Sequence, residues 1–361
     1  RLVIDDASYD AATNELKVEY RAKCVVGTPP YLTLPPLVLA SDAHRVRPSK
    51  TEVLHGSGAM TTTFVLNREK HGSSREVLTS GTYTVRCATE SLGGESHEYW
   101  IPVTKDLELR LPQELTTQTT RLKLGRTPRA GALALQVLAP LDTSERGKYR
   151  QRTLQDRIPE FSELPLEAGA VLFESFGGKS VTDSGLALFN EMDRRDDPRT
   201  RYWSVVDLSV HVPTGAVPLI RYSEEWYRKL HTVEYLVNNN NFPFYYRKRA
   251  GQKYVQTWHG TPLKRIGNDI PSTHLSLPYV NLMQREARYW DFLLAQNDFS
   301  AEVLPRAFGT SCRVVTEGYP RNDTLVQDDH YPLRAAVRSR LGIDEDKTVV
   351  LYAPTWRDYL R

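Results

Sequence analysis

Cysteine is scarce: Cys24, Cys87 and Cys312 are the only three in 361 residues, and they form neither a CxxC pair nor a metal-ligand spacing. An odd, scattered set favours reduced thiols in a cytosolic protein, with a Cys24–Cys87 bridge between facing strands as the lesser alternative. Long apolar runs are absent too, and none approaches the roughly eighteen residues a membrane span needs. The net charge of +3 gives no case for nucleic acid, while a pI near 8.6 leaves room for basic patches facing anionic substrates or a membrane surface. The start, Arg1 to Asp5, has neither an initiator methionine nor a signal-peptide layout, so the chain reads as an excised piece. Acidic pairs occur at Asp196-Asp197 and Asp328-Asp329, both in charged, surface-like stretches. No metal ligand is assigned, no cofactor is implied, and a divalent metal requirement stays open.

What is present is an ordinary globular composition, 40% hydrophobic and 25% charged, long enough for two or more domains. Residues 1–140 alternate with period two in short runs, such as Glu15 to Arg21, Thr61 to Leu66 and Thr82 to Cys87, and predict a β-sandwich-like domain. Asp106 to Leu111 and Ala132 to Leu138 are expected to continue it as strands. Residues 141–167 are charged and aperiodic, as in a linker or surface helix.

From residue 168 the pattern changes. Short apolar runs at Ala170–Phe173, Tyr202–Val206, Val217–Ile220, Tyr235–Val237, Tyr254–Thr257, Phe292–Ala295 and Cys312–Thr316 have parallel-strand character. Most are separated by helix-like segments, including Gly185–Asp193, Ser223–His231, Pro278–Tyr289 and Ser300–Phe308. Such alternation predicts an α/β Rossmann-like domain over 168–330. A connecting helix at Arg334–Leu341 and a strand at Thr348–Tyr352 open a further unit, residues 331–361.

Chemistry concentrates at strand ends, where open α/β sheets bind ligands. Tyr254 to Trp258 reads as a strand end, and Gly260 with Pro262 breaks the pattern, placing His259 on the first loop residue. A histidine there can take a proton near neutral pH; read alone, it is more readily a loop histidine satisfied by hydrogen bonds. Gly260, Thr261 and Gly267 allow close backbone approach. Lys264 and Arg265 suit phosphate, a solvated face or anionic lipid. Phe173 to Ser180 passes through Gly177 and Gly178 toward a helix, presenting N–H groups to an anion, although its spacing is not that of a Walker A loop. Lys179 and Asp183 are its candidates, with Asn240, Phe242 and Pro243 on the same rim. Arg321, oriented by Asp323, suits phosphate or an ion pair between domains, and Arg357 follows the last expected strand.

Four blocks resemble one family in its order: Phe173-Glu-Ser-Phe-Gly-Gly-Lys-Ser180, Gln256-Thr-Trp-His-Gly-Thr-Pro-Leu-Lys264, Glu317-Gly-Tyr-Pro-Arg-Asn-Asp323 and Leu351-Tyr-Ala-Pro-Thr-Trp-Arg-Asp358. They are similar to the CDP-glycerol glycerophosphotransferases, the teichoic acid and capsule polymerases and primases. The resemblance covers residues 168–361. It implies the acceptor half of a GT-B transferase, with the second Rossmann half truncated and this piece inactive alone. It implies CDP-glycerol or another CDP-alditol as donor, and a glycerol phosphate-terminated, lipid-linked or polymer acceptor. It also implies a cytoplasmic enzyme peripheral at the inner membrane face. His259 becomes the expected general base, with Lys179, Asp183, Asn240, Trp258, Gly260, Thr261, Lys264, Arg265, Arg321, Asp323 and Arg357 as expected substrate contacts. Two other functions fit the fold: a GT-B nucleotide-sugar glycosyltransferase, and a noncatalytic polymer-binding scaffold with a degenerate transferase fold.

Overall fold

The structure, a computed structural model, describes residues 2–22, 34–42, 44–54, 59–70, 74–90, 96–117, 119–128, 130–271, 277–326 and 331–353. Cys24 and Arg357, and with them most of the Leu351–Asp358 block, lie outside the described residues.

The first part is built of antiparallel strands. In Glu15–Ala22 the side chains of Leu16, Val18 and Tyr20 are fully buried and alternate with more exposed polar residues, as a strand with one face on a core requires. This strand lies in a sheet ordered Leu2–Asp10, Glu15–Ala22, Ala59–Val65, Lys50–Leu54. A second sheet has Gly81–Glu90 at its centre, flanked by Leu133–Leu138 and Leu37–Ala40. Phe64 from one sheet and Tyr83, Val85 and Leu135 from the other join a single core. Cys87 sits in that core as a free thiol.

Asp106 to Leu111 departs from the expected strand. Asp106 to Arg110 lie in a helix, Lys105–Arg110, which Leu111 caps in an extended conformation; it forms because the Thr104 hydroxyl accepts from the Leu107 N–H, and Asp106 and Glu108 supply the acidic first turn. Only Leu107 is buried, so the alternation of Asp106-Leu-Glu-Leu109 was a helix face misread as a strand. Within 141–167, expected as a linker or surface helix, the helical alternative is what forms. It consists of helices Gly147–Asp156 and Ile158–Glu163, whose Leu154, Ile158 and Phe161 enter the core of the following sheet.

That sheet has seven parallel strands in the order Ala216–Ile220, Arg201–Val205, Glu167–Glu174, Val233–Asn238, Lys253–Gln256, Phe292–Leu294, Arg313–Val315. Both faces are covered. Leu172 and Leu236 pack with Trp226 and Leu230 of helix Glu224–Thr232, whereas Val171, Phe173 and Val237 pack with Phe189 of helix Asp183–Arg194. Trp203 stacks on Phe173 with centroids 5.1 Å apart and meets Phe189 edge-on at 6.0 Å. Each such aromatic pair is worth roughly 0.5–1.5 kcal/mol beyond the area it buries. A hydrogen bond from the Ser80 N–H to Asp207 Oδ2, 2.7 Å, ties the antiparallel part to this sheet.

The chain starts the sheet near its middle, runs to one edge, then returns to lay Val233–Asn238 on the other side of Glu167–Glu174. The carboxyl ends of these two strands diverge into different connections, which makes the crevice between them the switch point of the sheet. Thr348–Tyr352 is not a strand. Val350 and Leu351 are 87% and 86% exposed, and no described strand pairs with them. An apolar run forms a strand only where a neighbouring ladder takes up its backbone groups.

Under the sheet, Glu286 is fully buried. Its Oε1 accepts from the Phe242 N–H (3.0 Å) and the Tyr254 hydroxyl (2.8 Å), and burial pushes its carboxyl up to about 7. The folded state therefore holds this proton where the unfolded chain, near the ordinary 4.5, has released it. The resulting stabilisation is complete below the unfolded value and is lost as pH rises through about 7, amounting to about 3 kcal/mol. Urea melts at about pH 5 and about pH 8 should show Glu286→Gln with a shallower loss of stability than the parent. Parallel pH profiles for the two proteins would contradict this.

Candidate functional site

The site assembles at the switch point because adjacent strand ends are stitched together by polar groups. Thr257 donates its N–H to the Asn238 carbonyl at 2.9 Å. Gln256, fully buried, donates from Nε2 to the Asn240 carbonyl and accepts the Trp258 N–H at Oε1, each at 2.9 Å. Held this way, Trp258 takes φ 51° and the chain turns sharply before His259. A left-handed bulky residue costs on the order of 1–3 kcal/mol and persists only where its surroundings over-determine it. Phe176 (φ 48°) and Asp183 (φ 66°) share this conformation, so three such residues surround one crevice.

His259 is exposed, with Trp258 stacked at a centroid distance of 4.3 Å and Phe176 at 6.1 Å. Its Nδ1 lies 2.8 Å from the Asn239 carbonyl oxygen. A carbonyl only accepts, so Nδ1 carries the hydrogen and the neutral ring keeps its lone pair on Nε2. The main chain is also held: Arg321 Nη1 donates to the His259 carbonyl at 2.9 Å and to Asp183 Oδ1 at 3.0 Å. Asn239 in turn donates from Nδ2 to Asp183 Oδ2 (2.8 Å) and accepts the Phe176 N–H at Oδ1 (2.8 Å).

Several expected substrate contacts lie elsewhere. Asp183 has a side chain only 3% exposed and accepts from Asn239, Arg321 and the Ser184 N–H, so its carboxylate is taken up by the protein. Trp258 is 8% exposed and packs on Phe308 at 4.7 Å, which makes it core. Phe242 is fully buried against Tyr246 and Tyr254 and is no part of the rim. Arg321 is oriented by Asp183, not by Asp323. The latter is exposed beside it in a groove of about 340 Å³ between helix Asp183–Arg194 and the turn Pro320–Leu325. Gly260 has open space around its Cβ position; at Gly267 (φ 52°) a Cβ would lie 2.2 Å from the Ala307 carbonyl oxygen, so only glycine fits there. Thr261 donates to Gln296 Oε1 at 3.1 Å. Lys179, Asn240, Lys264 and Arg265 are exposed. Among the described residues, no three histidine, cysteine, aspartate or glutamate side chains come together to hold a metal ion.

The glycine turn after Phe173 does less as an anion cradle than its sequence promised, since Phe176 and Gly178 donate their N–H groups within the protein. What holds the turn is a charge beneath it. Arg221 donates to the Gly177 carbonyl at 2.6 Å, and its Nε lies 3.4 Å from Glu174, a fully buried carboxylate that burial pushes above its ordinary range. Asn239, Gln256 and the Glu174–Arg221 pair were missed by sequence reasoning. A run of four asparagines directly after a buried strand, Asn238 to Asn241, was the available signal.

Residues 159–361 match the model of a family described as CDP-Glycerol:Poly(glycerophosphate) glycerophosphotransferase. A teichoic acid poly(glycerol phosphate) polymerase of Bacillus subtilis (strain 168) is 36% identical over 222 residues, covering 60% of this chain and 30% of that protein. One of the same name from Staphylococcus epidermidis is 36% identical over 223 residues, covering 59% and 30%. Among solved structures, a histidine-to-alanine variant of the wall teichoic acid polymerase TagF superposes with a TM-score of 0.54 at 34% identity, over 58% of this chain and 53% of that one. A histidine-to-asparagine TagF variant soaked with CDPG gives 0.54 at 33%, over 58% and 54%. The chain thus spans 30% of the length of the two polymerases and about half of the solved TagF chains.

The packing around the turn yields a test. At Gly178 (φ 78°) an added Cβ would lie 2.8 Å from Arg221 Cδ and 3.1 Å from the Val205 carbonyl carbon. Gly178→Ala should therefore destabilise the protein by roughly 1–3 kcal/mol in urea unfolding, and an unchanged midpoint would show that the turn relaxes freely.

Proposed function

The chain belongs to the CDP-glycerol:poly(glycerophosphate) glycerophosphotransferase family, and from that premise we propose that it moves glycerol phosphate from CDP-glycerol to the terminal hydroxyl of a glycerol phosphate acceptor or growing polymer. His259 Nε2 takes the hydroxyl proton. The alkoxide oxygen attacks the glycerol-bearing phosphorus, a new P–O bond forms, the pyrophosphate P–O bond breaks, and CMP leaves with the electron pair. The observation carrying this reading is the bond from Nδ1 to the Asn239 carbonyl, which leaves Nε2 as the accepting nitrogen on an exposed ring at a switch point. The donor is supported by the family and by the CDPG soak of TagF.

In this reading the parallel sheet is the acceptor half of a GT-B transferase. Residues 1–140 form a separate β domain, 141–167 the connection, 168–330 the acceptor domain and 331–361 the entry to the donor half. Lys179, Asn240, Lys264 and Arg265 are exposed cationic and polar groups of the kind that meet phosphate oxygens. Arg357, outside the described residues, is proposed as a donor-phosphate contact on the family resemblance. The acceptor is lipid-linked or polymeric, which puts the enzyme at the inner face of the membrane. No described helix is long and apolar enough to cross it.

The full-length enzyme, given CDP-glycerol and a glycerol phosphate primer, should release CMP as the primer lengthens. His259→Asn should lower kcat by roughly a hundredfold to ten-thousandfold while retaining donor binding. Turnover with a nucleotide sugar instead, or full turnover by the variant, would overturn the assignment.

A further inference from the structure

We propose that Asp183 is a positioning residue that sets the orientation and tautomer of His259, an inference resting on the general-base reading above. Two contacts hold His259, one on its ring and one on its main chain. The ring contact is the Asn239 carbonyl, and the main-chain contact is Arg321 on the His259 carbonyl. Both trace back to one carboxylate. Asp183 Oδ2 accepts from Asn239 Nδ2, and Oδ1 accepts from Arg321 Nη1.

The geometry makes Asp183 the common support. Its side chain is buried and saturated by protein donors, so it has no role left as a ligand for phosphate, which like charge would disfavour in any case. Asn239 is 1% exposed, with its amide held on Asp183 and on the Phe176 N–H, while the peptide that carries its carbonyl is held on the far side by the Asn240 N–H on Asn238 Oδ1 at 2.8 Å; Asp183 braces the residue from its side chain. Arg321 is a cation whose charge is balanced by Asp183, which lets it lie against a backbone carbonyl beside the histidine. The left-handed backbone of Asp183, φ 66°, is a strain the fold carries at this point and at two others, Phe176 and Trp258, whose rings both neighbour that of His259. Remove the carboxylate, and Asn239 loses a partner while Arg321 keeps an unbalanced charge within reach of the base. Free neutral imidazole in water has no such carbonyl to fix the hydrogen on Nδ1.

The test reads the ring directly. In the chain labelled with nitrogen isotope at histidine, the ring-nitrogen shifts of His259 are assigned by their loss in His259→Asn. The parent should report the hydrogen on Nδ1 and a bare Nε2. Asp183→Ala should convert this to a mixture in which Nε2 carries hydrogen, and Asp183→Asn, whose amide oxygen still accepts from Asn239, should shift less. An unchanged tautomer in folded Asp183→Ala would overturn the proposal; should that variant not fold, Asp183→Ser, which also removes the carboxylate, takes its place, and an unchanged tautomer there would do so. In the full-length enzyme, kcat for CMP release should fall roughly tenfold to a hundredfold in Asp183→Ala, with KM for CDP-glycerol within about twofold. A raised KM at unchanged kcat would instead make Asp183 a substrate contact and sink the idea. If His259→Asn retains turnover, the general-base reading fails, while the ring spectra still decide the positioning role.

Discussion

The arrangement at the crevice depends on a single buried amide. Gln256 closes the last hydrogen-bonded position between two parallel strands by bonding the main chain of its neighbour, at Asn240, and its own chain two residues on, at Trp258. A buried primary amide left without partners costs about 1–3 kcal/mol, so both contacts are strongly favoured in the folded state. Their joint satisfaction forces the turn that Trp258 makes. The indole then seats against Phe308 and the next residue is delivered to the surface. The exposed histidine is thus a consequence of a satisfied core group one turn behind it.

A buried charge does the corresponding work at the end of the strand Glu167–Glu174. Glu174 ends the first strand of the sheet inside the protein and is met by Arg221 and the Ser204 hydroxyl, which itself accepts from the Trp226 indole N–H. Isolated burial of that carboxylate would be prohibitive, so the arginine is drawn beneath the glycine turn and fixes its path. The two strand ends are therefore shaped by polar groups below the surface, and the surface residues inherit their positions.

Legibility in the sequence follows the same division. Period and punctuation carried the seven strands of the parallel sheet and the helices between them, because each strand is a short apolar run and the central ones are buried on both faces. The same reasoning failed at Lys105–Arg110, where a cap outweighed a two-residue alternation, and at Thr348–Tyr352, where an apolar run has no described neighbour to pair with. In the site, His259 stood out through its block. Trp258 and Asp183 were legible as members of motifs but not as what they are, since burial is a tertiary property that no local pattern specifies. Asn239 was hidden because the group that touches the histidine is its main chain.

That last point bears on how the site can change over time. The hydrogen-bond acceptor that orients the imidazole is a peptide oxygen, present whatever side chain occupies position 239, while the amide of the same residue braces it from the side. Mutational drift at this position can weaken the brace step by step without ever deleting the acceptor. A geometry written into the backbone in this way degrades gradually, and a survey of side-chain identities alone would underestimate how much of it resides at that residue.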